Sequence, residues 1–419
     1  MSGAKGPLSY PIFRALWLSG VVSFIGSFVQ NVGEAWLMLD LTKSPLAVSL
    51  LATTVVGTSV VWMLPAGLLA DRYDKRKVLI ASQLLQALAA LTMAALSYTH
   101  HITPSALLFG VALLGTGMAL GVPAWGALNP ELLPRELVAE GVALNAVAFN
   151  LARAVGPAIG GVVLDTVGAT GSFLLNAASF GIVLIPLFAF LHVKLEGADA
   201  SAPAPLAPGR NAFRAPLAAI RGDEGLRSIF LAMFLFSLGA GMFYALTPAF
   251  GKETLRETAR QYGIMIGMMG GGALLGATVL KRLRPRVAPR VLIGSAMALF
   301  ATFGFAVANA PTIPIAMALF VPAGAGWIGS FSSIAALNQV WAPSGLRARI
   351  IALYQLVHLA TWTITSALGG VIAERFGVRV AMSIGTAVCA MAAIATFRVG
   401  LPTSFTPSLR PQELRQPEA

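Results

Sequence analysis

Few side chains in this 419-residue sequence are equipped for chemistry, and those few lie inside long apolar runs. The sharpest is Glu34. With Ser19, Ser23, Ser27, Gln30 and Asn31 it recurs every three or four residues, which sets these groups on one face of a helix. An ionised carboxylate in hydrocarbon costs about 2.5–3.5 kcal/mol on insertion scales, so this face must turn to protein or to a water-filled cavity. A carboxyl held there can exchange a proton, which is what proton coupling requires. The alternative is a hydrated surface carboxylate, because Asp40 at the end of the same run is less than two turns away. In the fifth run Asn145, Asn150 and Arg153 form a second polar group. An arginine stays charged in a membrane and needs a partner: Glu34, Asp165, an anionic group of a bound molecule, or a structural ion pair. In the eleventh run Tyr354, Gln355, His358, Thr361, Trp362 and Thr365 again follow helical spacing. His358 titrates near neutrality and can relay protons, although a lone histidine is more often satisfied by a neighbouring hydroxyl or carbonyl. Tyr244, Trp327 and Trp362 are suited to line a greasy pocket. The expected proton-exchanging residues are therefore Glu34 and His358. The expected binding residues are Gln30, Asn31, Asn150, Arg153, Tyr244, Trp327, Tyr354 and Trp362.

These groups are held by a chain that is 57% hydrophobic and only 11% charged, with a mean hydropathy of +0.78. A soluble domain is nearer a quarter charged, so the composition describes a polytopic membrane protein. The net charge of +12 does not signal nucleic acid. Its basic residues sit in short loops between apolar runs, where membrane lipids with anionic headgroups are the natural partner. The lone cysteine, Cys389, lies in the last run and reads as packing. No phosphate-binding loop, enzyme signature or metal-ligand spacing stands out, so no cofactor is expected. An ion gradient, with the proton's as the expected one, is then the driver.

Twelve spans are expected, at 12–39, 46–70, 78–98, 104–126, 137–165, 171–192, 226–250, 260–280, 288–309, 312–338, 346–373 and 377–398. With the N-terminus inside, 22 of the 29 Lys and Arg residues fall in inner segments. The exceptions are Lys43, Lys252, Arg256, Arg260, Arg375 and Arg379 outside, and Arg153 within a span. That asymmetry predicts both termini in the cytoplasm. Residues 1–192 and 226–398 are the expected six-helix bundles, 193–225 a cytoplasmic linker with a Pro/Ala-rich stretch at 198–209, and 399–419 a cytoplasmic tail. The bundles repeat at one ungapped offset. Gly67 falls on Gly276, Gly115 on Gly324, Asn129 on Asn338, Pro134 on Pro343, Gly160 and Gly161 on Gly369 and Gly370, Asp165 on Glu374, and Gly168 on Gly377.

Between the second and third spans lie Gly67, Asp71, Arg72, Lys75 and Arg76. This stretch resembles the signature loop of the major facilitator superfamily, with Asp74 where that family usually has glycine. The resemblance covers the whole chain, since two parallel six-span halves are that family's internal symmetry. It implies an all-α fold of two pseudo-symmetric six-helix bundles, working as a monomer in a bacterial inner membrane. Gly156, Pro157, Gly160 and Gly161 resemble the helix-packing motif of the superfamily's proton-driven antiporters, with Val147 in place of its upstream glycine. Together with Pro134-Arg135 and Asn150-Leu-Ala-Arg153, these residues resemble the branch of enterobactin-exporter-like and macrolide-efflux-like proteins. What the resemblance implies is a proton-coupled exporter of a hydrophobic or amphipathic small molecule, such as a drug, siderophore or metabolite. An uptake permease of the same fold, or a non-transporting membrane sensor, is the alternative. It further implies a cytoplasmic gate in which Gly67, Asp71, Arg72, Lys75 and Arg76 bridge to the start of span 11 at Arg347 and Arg349.

Overall fold

The computed structural model describes residues 6–193, 214–398 and 400–405, and contains no strand among them. Its helices are α1 (Pro11–Thr42), α2 (Pro45–Arg72), α3 (Lys75–Tyr98), α4 (Pro104–Leu128), α5 (Val138–Ala189), α6 (Arg214–Gly222), α7 (Glu224–Ala245), α8 (Ala259–Leu283), α9 (Pro289–Ala308), α10 (Ile313–Trp341), α11 (Arg347–Phe376) and α12 (Val378–Arg398). Several start where the sequence provides a start, whereas α5 and α11 follow leucines with no side-chain cap. Proline occupies the first turn of α1, α2 and α9, where its missing N–H costs nothing. Ser44 caps α2, Asp223 caps α7, and Thr258 with Gln261 forms a capping box on α8. Asp74, the departure from the family loop, caps α3: its carboxylate accepts from the Arg76 backbone N–H at 2.9 Å and from the Arg76 guanidinium. Burial raises the Asp74 carboxyl, and the Arg76 contacts outweigh that, leaving it below the ordinary carboxylate value. Its φ of −55° needs no left-handed backbone, so the glycine is dispensable here.

Eleven helical stretches among the described residues are long and apolar enough to cross a membrane. One of them, Arg135–Ala189, has 55 residues. At 1.5 Å per residue it would be about 80 Å long if straight, far more than a hydrocarbon core of about 30 Å. It is broken at Gly168, whose φ of 70° and ψ of −174° are open to glycine alone. The fifth and sixth expected spans are thus two limbs folded at one residue. In the second half Gly377, with φ 90° and ψ 153°, makes the corresponding turn between α11 and α12. The two glycines are repeat partners in sequence and share the same unusual region of backbone space.

Packing repeats as well. In the first half α1 packs on α5, α2 on α4, and α3 on α4 and α5. In the second half α7 packs on α11 and α12, α8 on α10, and α9 on α10 and α12. The halves meet through α5 with α8 and through α2 with α11, which are equivalent pairs under the repeat. Two expectations need correction. The 193–225 segment is not all linker, because residues 214–222 form the amphipathic helix α6, which packs on α7 with Pro216 buried. The seventh span, expected at 226–250, runs on to Thr254 through a turn at Thr247–Ala249 and a π-helical turn at Phe250–Thr254. The Pro/Ala-rich stretch and residues 406–419 of the tail lie outside the described residues.

Alanine at Gly168 or at Gly377 is expected to lower stability by about 1–3 kcal/mol each, the cost of a side chain in this backbone region. Gly181→Ala, on the open side of a regular helix, is expected to leave the melting temperature unchanged. Thermal melts of the three purified variants check this.

Candidate binding cavity

An even number of crossings brings both ends of the described chain to one face, called here the terminal face. A cavity of about 690 Å³ runs between the halves. The helix positions of its lining place it on the terminal-face side of the protein, with its deep end near mid-span. Its first-half wall carries most of the polar groups, Ser23, Ser27 and Asn31 of α1 and Ser82, Gln83 and Gln86 of α3, set among Phe24, Phe28, Phe149, Phe180 and Trp125. Its second-half wall is aromatic: Tyr244 of α7, Trp327 and Phe331 of α10, and Tyr354, His358 and Trp362 of α11. The rings interlock, with Trp327 5.4 Å from both Tyr244 and Trp362 and 5.0 Å from Phe331.

Arg153 of α5 reaches across to this shelf. Its guanidinium lies 5.2 Å from the centre of the Trp327 ring and 5.8 Å from that of Tyr244, a cation–π arrangement between the halves. Neither Glu34 nor Asp165 is its partner. No carboxylate among the described side chains lies within salt-bridge distance of it. The cavity therefore holds a cation stacked on aromatic faces with its hydrogen-bonding edge uncommitted to an acid.

The α1 stripe divides in two. Ser23, Ser27 and Asn31 line the cavity, whereas Gln30 (1% exposed) and Glu34 (4%) face into the first-half bundle. Gln30 donates from Nε2 to Glu34 Oε1 at 2.7 Å, and Asn176 Nδ2 donates to Gln30 Oε1 at 2.7 Å. Asn176 Oδ1 in turn accepts from Ser179 at 3.0 Å and from Ser27 at 3.5 Å. Glu34 is thus neither in the cavity wall nor turned to lipid, and Ser27 links its network to the wall. Asn150 is not drawn into the cavity either; its Nδ2 donates to Ala146 O within α5. His358 is in the wall and shares a 2.8 Å hydrogen bond with Ser237 Oγ through Nδ1, so a hydroxyl satisfies it. Ser82, Gln83 and Gln86 escaped the sequence reading although their spacing is the same helical signal.

Opposite the terminal face the halves are sealed. Lys252 Nζ contacts Asp40 of α1 at 2.5 Å, donates to Trp36 O at 3.1 Å and sits over the Trp36 ring, which packs on Tyr262 of α8. Asp165 accepts from the Arg260 backbone N–H at 3.3 Å, and Glu374 accepts from Ser44 Oγ at 3.2 Å. These acids are repeat partners, and each meets the start of a helix in the other half. Gly161 meets the Ala259–Arg260 backbone, and Gly370 meets Leu46 and Ser49, too closely to admit a Cβ. Gly156 and Gly160 instead pack on Phe28 and Val29 of α1, and Pro157 presents its carbonyl to Gly263.

On the terminal face the expected bridge to α11 is not made among the described side chains. Lys75 pairs with Glu131, and Arg76 donates to the carbonyls of Phe190 and Val193, all in its own half. Arg72 lies over the neighbouring Tyr73 ring. Arg347 Nε reaches Ala342 O, and a Cβ on Gly67 would meet open space rather than a second helix. The Asp71 side chain and Arg349's expected contact with it lie outside what is described. The polar contacts between the halves named above lie instead on the opposite side, at Lys252–Asp40, Arg260–Asp165 and Ser44–Glu374.

Residues 2–418 match the family described as transmembrane secretion effector. The enterobactin exporter EntS of Salmonella typhi is 26% identical over 378 residues, covering 86% of each chain. That of Citrobacter koseri is 26% identical over 376 residues, covering 86% of this chain and 85% of its own. Among solved structures, an inward-facing bacterial homologue of the lysosomal transporter Spinster has a TM-score of 0.74 at 14% identity, covering 94% of this chain and 97% of that one. A bacterial ferroportin homologue, also inward-facing, has a TM-score of 0.74 at 14% identity, covering 92% and 98%.

Glu34→Leu is expected to leave the Gln30 amide buried and unpaired, costing about 1–3 kcal/mol, whereas Glu34→Gln preserves a partner and most of the stability. Thermal melts of the two variants distinguish a built network from an incidental contact.

Proposed function

Because the chain belongs to the transmembrane secretion effector family of the major facilitator superfamily, we propose that this secondary transporter is a proton-coupled exporter of amphipathic small molecules carrying an aromatic body and an anionic group. The observation that carries this reading is Arg153, lying on the Trp327 and Tyr244 rings with no acid beside it. A substrate carboxylate, catecholate or phenolate would take its hydrogen-bonding edge, while the substrate's rings pack on the aromatic wall. The polar wall of Ser82, Gln83 and Gln86 suits the substrate's remaining hydroxyls or amides; Gln83 Oε1 is buried and unpartnered. Relatives named as enterobactin exporters favour export, and an aromatic anionic siderophore has the chemistry this cavity accepts.

In this mechanism the terminal face is cytoplasmic and the membrane is the bacterial inner one. Substrate enters the splayed cavity, the halves rock, and the far-face seal opens. The basic loop with Asp71 and Arg72 then meets Arg347 and Arg349 in the opposite conformation, closing the cytoplasmic side. Glu34 carries the proton, and its Gln30–Asn176–Ser27 chain transmits the change to the cavity wall. His358 orients the aromatic wall through Ser237. The coupling is limited by the difference in proton affinity between the two conformations.

Everted vesicles with an imposed proton gradient are expected to accumulate an anionic aromatic substrate, and right-side-out vesicles are not. Arg153→Gln is expected to weaken its binding by roughly 10- to 100-fold, the loss of one charge-assisted contact, while a neutral aromatic analogue is little affected. Glu34→Gln is expected to abolish uphill movement and keep counterflow. Uphill uptake in right-side-out vesicles would identify a permease, and binding without movement in either orientation a sensor.

A further inference from the structure

Behind the far-face seal lies a carboxyl that the mechanism above does not use. Glu257, in the loop between the π-helical turn and α8, is 5% exposed, and neither of its carboxylate oxygens has a hydrogen-bond partner. Its backbone N–H donates to Gly251 O at 2.9 Å. Its Oε2 lies so near Gly251 that an added Cβ would come within 2.5 Å, and the Tyr262 ring abuts the same spot. Both neighbours belong to the seal. Gly251 precedes Lys252, which holds Asp40 of α1, and Tyr262 packs on Trp36 of α1. Separating the halves takes away Asp40 and Trp36, the first-half residues that back both surfaces burying Glu257.

The charged groups around it are committed elsewhere. Lys252 is bound to Asp40 and Trp36 O. Glu253 on the same turn, Arg256 beside it and Arg260 at the start of α8 are exposed, and the Arg260 N–H serves Asp165. Arg379 of α12, which lies over the Phe250 ring, donates to the carbonyls of Ala308 and Ala310. A buried carboxylate without a donor or counter-ion is strongly disfavoured in its charged form. Burial pushes the Glu257 carboxyl up from 4.5 to about 7.

We propose that Glu257 is a proton-binding site of the far-face gate, taking a proton from the water on that side as the gate shuts over it and returning it when the gate opens. The sign follows from linkage. The closed state binds the proton more tightly, so acid on the far side favours closure. That bias is full below about 4.5, declines as pH rises through the window to about 7, and is gone above it. Between pH 5 and 8 the closed-to-open ratio falls by at most on the order of a hundredfold. The inference goes beyond the transport reading: it holds whichever molecule the cavity carries and whether or not Glu34 moves protons.

The test is electron–electron distance measurement on the full chain in lipid nanodiscs. Spin labels go on cysteines replacing Thr99 and Thr312, exposed far-face positions in opposite halves, in a Cys389→Ala background. The expected result is a short distance at pH 5, with a longer population growing toward pH 8. Glu257→Gln, a permanently neutral mimic, is expected to hold the short distance at every pH, while Glu257→Asp keeps the response. Matched melting temperatures establish that Glu257→Gln is folded. A wild-type distance that ignores pH overturns the proposal. So does a Glu257→Gln variant that titrates like wild type, or a response that follows sodium at fixed pH.

Discussion

Close helix approach at glycines is the constraint on which this structure depends. Where α5 meets α8, Gly161 touches the Ala259–Arg260 backbone and Gly263 touches the Pro157 carbonyl. Where α2 meets α11, Gly370 touches Leu46 and Ser49. These two seams are the repeat's image of each other, so closing one half-interface closes the other. A membrane offers no hydrophobic drive to hold two helices together, and close van der Waals approach has to supply it. Small residues make that approach reversible, since no side chain must be repacked when the halves part. The acids at the ends of the seams, Asp165 and Glu374, add polar contacts that water can replace on opening.

That geometry divides labour between the halves. The first half contributes most of the buried polar network, from Glu34 through Gln30 and Asn176, and the polar wall. The second half contributes the aromatic shelf. Arg153 is the residue that crosses the gap. The network runs from Glu34 through Gln30 and Asn176 to within 3.5 Å of Ser27 in the wall, so Glu34 itself has no direct contact with the cavity.

The architecture was legible because long apolar runs, proline starts and one ungapped offset are properties of sequence alone. The repeat even matched Gly168 with Gly377 and Asp165 with Glu374, and these pairs make equivalent turns and equivalent contacts. What sequence could not supply was the direction in which a polar residue points. Gln30 and Asn31 are adjacent, about 100° apart on the helix, and one faces the bundle while the other faces the cavity. The same limit left Glu34 one of several possible partners of Arg153, and the two lie apart in space. Glu257 was invisible for a different reason: its burial comes from a turn that folds Gly251 and Tyr262 over it, and no periodicity reports that.

Arg153 shows why the arrangement suits a carrier rather than a fixed receptor. An acid as its partner would neutralise it and lock the halves in one position. Aromatic faces stabilise the cation by an amount that is modest at exposed sites, about 0.5–1 kcal/mol, and leave the edge of the guanidinium available. An anionic ligand can then bind without first displacing a carboxylate. Since Tyr244 and Trp327 belong to the other half, any rocking of the halves must change how they support the cation. On the proposed reading, an anion and a conformational change would act on the same side chain, which is the condition for a ligand to shift the equilibrium between two states.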